Sequence, residues 1–239
     1  MVVSRKYLLL GLLYAFISMS CFGQTKRVFP DFGHWNTISV EYKMKNVELG
    51  LDQEWRIRDE YRRLNLFYTQ PSVAYNIKKW FKSTLSYRFT QKLRNEDSFS
   101  YRHRFQWDIY LKEKIKEIGI GYRSRIQTEW IDLNVSELGN IPQWYWRHKI
   151  DLKYNGFKKW TPYLGIEFRY QIKDPLNEEY DLGWRRARFF VGVEYKINKH
   201  HRIDMFYLTQ QEFEISTPNE LYNSGLQYTY TFKKKKEER

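Results

Sequence analysis

Apolar and polar positions alternate along most of this chain. Between Phe99 and Leu111 the odd positions are Phe99, Tyr101, His103, Phe105, Trp107, Ile109 and Leu111, and the even positions are Ser100, Arg102, Arg104, Gln106, Asp108 and Tyr110. A period of two belongs to a strand whose two faces meet unlike surroundings. The pattern recurs at 35–43, 47–58, 65–77, 81–90, 118–130, 144–154, 162–172, 186–197, 201–211 and 222–232, which makes eleven candidate strands. Two of these are irregular. Around 65–77, Leu64, Leu66 and Tyr68 fit one phase while Phe67, Val73, Tyr75 and Ile77 fit the other; a bulge would reconcile them. Pro71 in the same run argues against a central strand. In 201–211, Phe206 and Leu208 fall on the polar face.

Most of these stretches run 10 to 13 residues. Ordinary strands average about five or six residues, whereas strands crossing a membrane need roughly 9 to 11 within the hydrocarbon. The length favours an antiparallel transmembrane β-barrel over a soluble sandwich or lipocalin-like barrel. A propeller also repeats at about 40 residues, the spacing of the Tyr-to-Lys turns at 75–80, 154–160 and 195–199, but a blade would need four short strands where this chain fits two long ones. A fourth basic turn is expected at 112–117. Longer polar loops are expected at 91–98, 131–143, 173–183 and 212–221, matching the short periplasmic turns and longer external loops of outer-membrane barrels. An all-antiparallel closed sheet needs an even number of strands. The expectation is therefore 10 to 12 strands, with twelve preferred through an extra strand within 25–34.

Composition places that barrel in a compartment. Arg5 and Lys6, an apolar run from Tyr7 to Met19, and Cys21-Phe22-Gly23 before Gln24 read as a secretory signal peptide at 1–23. The barrel is then expected at 24–232 and a charged C-terminal tail at 233–239. Cys21 is the only cysteine, so a chain cleaved after Gly23 has no disulfide, thiolate ligand or cysteine nucleophile. The net charge is +13, yet the basic residues alternate with aromatics and face 28 acidic ones, so no nucleic-acid partner is expected. Eight tryptophans, Trp35, Trp55, Trp80, Trp130, Trp144, Trp146, Trp160 and Trp184, fall towards strand ends like interfacial girdles.

The polar phase supplies the lumen-facing candidates: Glu54, Arg56, Arg88, Arg102, Arg104, Asp108, Arg123, Arg125, Glu129, Arg147, Glu167, Arg169, Arg188 and Glu194. Mixed signs in a narrow interior suit a salt-bridged plug. An excess of arginine equally suits a path or pocket for an anionic solute or lipid. No convincing catalytic constellation stands out. A rim-active lipid-modifying enzyme would need a histidine with a serine and an acid or amide near an external loop, and only His34 lies suitably. His200 and His201 are adjacent and point to opposite strand faces, so no metal site is expected, and no cofactor.

Between Trp35 and Thr90, the early Trp35, the Glu-rich second strand with Glu48 and Glu54, the turn Tyr75-Asn76-Ile77-Lys78, and a signal peptide ending at Gln24 resemble a known family. It is the Bacteroidota outer-membrane barrel family known as domain of unknown function 2490. The resemblance covers nearly the whole chain after the signal segment. It implies residence in the outer membrane of a Gram-negative bacterium, with outer-membrane lipids and the barrel assembly machinery as partners. It implies no activity.

Overall fold

The computed structural model describes residues 29–95, 98–215 and 218–233. The expected signal peptide and all of the tail beyond Lys233 lie outside the described residues. Eleven strands follow one another: β1 (Phe29–Lys43), β2 (Val47–Arg58), β3 (Arg63–Lys78), β4 (Phe81–Asn95), β5 (Ser98–Ile115), β6 (Ile118–Ile131), β7 (Gln143–Tyr154), β8 (Trp160–Lys173), β9 (Gly183–Lys196), β10 (His201–Glu212) and β11 (Asn219–Lys233). Each pairs antiparallel with its neighbour in sequence, and the sheet closes on itself.

The closure corrects the expected count. β1 pairs with β11 in parallel, from Phe29 opposite Asn219 to Lys43 opposite Lys233. The preference for twelve strands assumed antiparallel pairing throughout, and one parallel seam removes that requirement. Of the stretch 25–34 expected to hold an extra strand, residues 29–34 begin β1 itself, and 25–28 lie outside the described residues. Both seam strands run in the same direction. Phe29 therefore lies at one end of the barrel and Lys233 at the other.

Phase breaks in the sequence become bulges. The β2–β3 ladder passes from Arg56 opposite Leu66 to Ile57 opposite Leu64, which turns Leu66 inward and Leu64 outward. Pro71 is accommodated within β3, facing outward. The β3–β4 register gives Thr69 opposite Phe89 and Ser72 opposite Ser86, with the ladder interrupted between them. Proline has no N–H to donate there.

One end carries the connections 44–46, 79–80, 116–117, 155–159 and 197–200, and the other carries 59–62, 96–97, 132–142, 174–182 and 213–218. Long and short ends are as expected, with three corrections. The turn expected at 75–80 contracts to 79–80 because β3 continues to Lys78. The loop expected at 91–98 contracts because β4 continues to Asn95, and the turn expected at 112–117 contracts because β5 continues to Ile115. Short 3-10 turns at Leu138–Asn140 and Glu178–Tyr180 fold the two longest loops.

The two faces invert the order of a water-soluble protein. The exterior carries Leu85 at 63 % exposure and Val73 at 53 %, with Phe105, Trp107, Trp146, Ile150 and Val191 around the wall. The interior holds Asn223, Glu129, Gln171, Asp108 and Gln106 at 3 % or less. Each strand contributes to both faces because its side chains alternate. Strand lengths of 12 to 18 residues exceed the minimum that a tilted membrane-crossing strand needs.

Trp35 is the exception among the eight tryptophans expected at the interfaces. It points into the lumen, 7 % exposed, with the Phe206 ring edge-on at 6.2 Å. Phe206 and Leu208, which broke the pattern of β10, point inward as well. They form an apolar patch with Trp35 and Leu221, and Leu208 is fully buried. Gly225 makes room for it, since the Phe206 ring occupies the space a side chain would need.

Candidate functional site: an arginine-lined chamber

The lumen of the long-loop half encloses a cavity of about 440 Å³. Eleven arginines, two lysines and three glutamates contribute to its wall. Strand alternation explains the concentration: Arg102 and Arg104 on β5, Arg123 and Arg125 on β6, and Arg186 and Arg188 on β9 are two residues apart and share the inner face.

The acids are shared among several cations. Glu129 accepts from Arg102 at 3.1 Å and from Arg104. Glu167 accepts from Arg123, from Arg147, and from Arg188 at 3.2 Å, and so joins four consecutive strands. Arg125 binds Asp108 through two parallel bonds of 2.5 and 2.6 Å, the fork geometry that suits guanidinium and carboxylate. Glu54 accepts from Arg56 at 2.5 Å, Tyr68 at 2.8 Å and Thr37 at 2.9 Å. Arg186 pairs with Glu212 at the rim of the chamber.

Three cations remain without a carboxylate within 4 Å among the described residues: Arg88, Lys92 and Arg169. Arg88 lies over the Tyr68 ring at 3.5 Å and donates to Gln70 Oε1 at 2.8 Å. Arg169 lies over the Tyr145 ring at 4.7 Å, and its buried Nε has no hydrogen-bond partner. Arg56 stacks on Trp35 at 3.7 Å, and Arg188 approaches the same ring from across the lumen at 5.7 Å. The lumen aromatics act as flat supports that hold guanidinium groups in place by cation–π attraction.

Below the chamber, towards the short-turn end, the lumen is filled by hydrogen-bonded polar side chains. Gln227 donates to Ser39 at 2.9 Å, Ser39 to Asp52 at 2.7 Å, Gln70 to Asp52 at 3.2 Å and Gln106 to Gln70 at 2.6 Å. That chain crosses β11, β1, β2, β3 and β5. Beyond it Glu41 pairs with Lys43 at 2.7 Å and Arg202 at 3.6 Å, Lys82 with Glu48 at 3.5 Å and Lys153 with Glu194 at 2.5 Å. None of these acids belongs to the chamber wall.

All fourteen lumen-facing candidates occupy inward positions of their strands. Eleven line the chamber. Glu54 and Asp108 sit behind it as anchors for Arg56 and Arg125, and Glu194 lies in the short-turn half. Residues outside that candidate set also form the wall: Trp35, Arg58, Tyr68, Lys92, Tyr145, Lys149 and Arg186. Arg186 and Tyr145 share the phase of their arginine neighbours and were legible by alternation. Trp35 also shares the phase of the inward Thr37 and Ser39, but an aromatic residue near a strand end reads as an interface anchor. Outward histidines find tyrosine partners: His103 with Tyr87 Oη at 2.7 Å, His148 with Tyr122 Oη at 2.7 Å, and His201 with Tyr228 Oη at 2.6 Å. Among the described residues no group of three or more His, Cys, Asp or Glu side chains is arranged to hold a metal ion.

No curated protein matches the chain. A family described as "Protein of unknown function (DUF2490)" matches residues 32–221, from the first turn of the seam to the start of β11. That span takes in nine whole strands, β2 to β10, with most of β1 and the whole chamber wall, and the chain belongs to this family.

Proposed function

We propose that this protein is an outer-membrane barrel that binds a multivalent anion in the long-loop half of its lumen, with the long loops outside the cell. The observation that carries the reading is the imbalance of charge around a cavity: thirteen cationic side chains line it, against three carboxylates in the wall and four that pair with wall cations from behind, Asp31, Glu54, Asp108 and Asp151. Confining like charges in a narrow, poorly hydrated lumen is costly unless counter-charge completes the network. Arg88, Arg169 and Lys92 await such a partner. Guanidinium groups held on aromatic faces are suited to the oxygens of phosphate or carboxylate. A volume of about 440 Å³ lies within the range of small-molecule sites. The polar layer from Gln227 to Gln106 supports a pocket closed at its inner end. The apolar exterior supports placement in lipid, where a closed barrel also satisfies every backbone donor and acceptor.

Inorganic pyrophosphate titrated into the detergent-folded protein, followed by calorimetry, is expected to bind saturably. The Arg88→Gln/Arg169→Gln double variant should bind at least tenfold more weakly, about 1.4 kcal/mol. Equal affinity of the two proteins would remove the chamber as the site. A steady ohmic conductance of the wild type in planar bilayers would replace the closed pocket with a conduit.

A further inference from the structure

The parallel seam brings together three polar side chains on the outer wall. His34 and Asn36 are outward on β1, and Ser224 is outward on β11 directly opposite His34. Ser224 Oγ lies 2.7 Å from His34 Nδ1. His34 Nε2 lies 3.0 Å from Asn36 Oδ1. The amide oxygen only accepts, so Nε2 carries the proton and donates to it. Nδ1 is then unprotonated and accepts the serine O–H. A hydroxyl, an imidazole base and an amide that fixes the tautomer are the parts of an activated nucleophile, recognised by geometry and roles wherever they fall in sequence.

Their location is as telling as their contacts. A polar trio on a lipid-facing wall is costly and marks function by default. His34 is opposite Ile57, two residues before the β2–β3 turn. At about 3.4 Å per residue it lies roughly 7 Å below that rim. Phe32 stacked on Tyr222 at 5.4 Å, and Trp55 opposite Asn36, give this level the aromatic setting of a membrane interface. Ester linkages of membrane lipids lie at that boundary between headgroup and hydrocarbon.

We infer that Ser224, His34 and Asn36 form a hydrolytic site for acyl esters of membrane lipids, reached from the bilayer. The inference rests on the membrane placement proposed above and is independent of the lumen chamber. Ser224 Oγ attacks the ester carbonyl as its proton passes to His34 Nδ1. The tetrahedral adduct collapses to a seryl ester, and the imidazolium protonates the departing lysolipid alcohol. Water, deprotonated by the same imidazole, then attacks the seryl ester and releases the fatty acid. Asn36 holds the ring in the productive tautomer throughout. Tyr207 is outward and opposite Ser224 on β10.

The test uses the full chain folded in detergent, with heat-modifiable gel mobility confirming the barrel. A fluorophosphonate probe is expected to label Ser224, identified by peptide mass spectrometry. Mixed micelles of diacyl phosphatidylethanolamine should release fatty acid. Ser224→Ala should abolish both signals. Asn36→Ala should lower kcat by at least tenfold while labelling stays detectable. Ser83→Ala should keep full labelling, since that outward serine is engaged with Trp107 Nε1 at 2.9 Å. A folded wild type that is neither labelled nor releases more fatty acid than Ser224→Ala overturns the site. Labelling with turnover of soluble p-nitrophenyl esters but not of the phospholipid overturns the lipid substrate. Loss of the gel shift and solubility without detergent would instead overturn the membrane placement.

Discussion

At the scale of single residues, the interior is organised by side chains that satisfy several neighbours at once. Glu167 is 3 % exposed and bridges three arginines from β6, β7 and β9. Removing a carboxylate from such a group leaves uncompensated buried charge, which typically costs about 3–5 kcal/mol. Glu167→Gln is expected to lower the urea midpoint of the heat-modifiable form correspondingly. An unchanged midpoint would mean that water enters the network and relieves it. Trp35→Ala removes the support of Arg56 and the contact with Phe206, and about 3 kcal/mol of destabilisation is expected in the same assay. Alternation made the inward arginines legible in the sequence. It also placed Trp35 in the inward phase of Thr37 and Ser39, a signal outweighed by the expectation that an aromatic residue near a strand end anchors an interface.

At the scale of elements, the strands were legible wherever one face was apolar and the other polar. The mixed phase of Leu64, Leu66 and Tyr68 against Phe67 and Val73 marked a bulge in β3, and the register shift falls between Leu64 and Leu66, where it moves Leu64 to the outer face. Loop lengths were less legible. Residues 91–95 and 112–115 are mostly polar, yet they continue β4 and β5 at opposite ends of the barrel. Polarity marks exposure to water there and not the end of pairing. Pro71 remains in a central strand because it faces outward and sacrifices one ladder bond. Pro71→Val should restore a donor opposite Tyr87 and stabilise the barrel by about 1 kcal/mol, read as a rise in the urea midpoint. A fall would show that β3 relies on the fixed proline backbone.

At the scale of the whole molecule, the barrel itself was legible and its closure was not. The rule that antiparallel barrels have even strand numbers is sound, and the chain departs from its premise at one seam. For the same reason the Ser224–His34 contact was invisible in sequence: the partners are 190 positions apart and meet only if the last strand lies alongside the first in the same direction. The seam has a direct test. Val40 and Tyr230 are outward and opposite each other, and the only native cysteine, Cys21, precedes the barrel. Val40→Cys with Tyr230→Cys should oxidise to a disulfide that changes the mobility of the denatured chain on non-reducing gels. Val40→Cys with Tyr222→Cys should not, being eight residues out of register. Equal cross-linking of both pairs would refute the parallel seam.

The opposed ends of β1 and β11 also decide how the polypeptide could be rewired. In an even-stranded barrel the first and last strands emerge on one rim, and a few residues suffice to splice them for circular permutation. Here a splice from Lys233 back to Phe29 must travel the height of the wall, some fifteen residues fully extended at about 3.4 Å each. It must run either through the lumen, past the chamber, or along the greasy exterior. A permutant with a short splice should fail to assemble. If the barrel sits in the outer membrane with its long loops outside, an epitope fused ahead of Phe29 should be reached by antibodies on intact cells, and one fused after Lys233 only once that membrane is permeabilised.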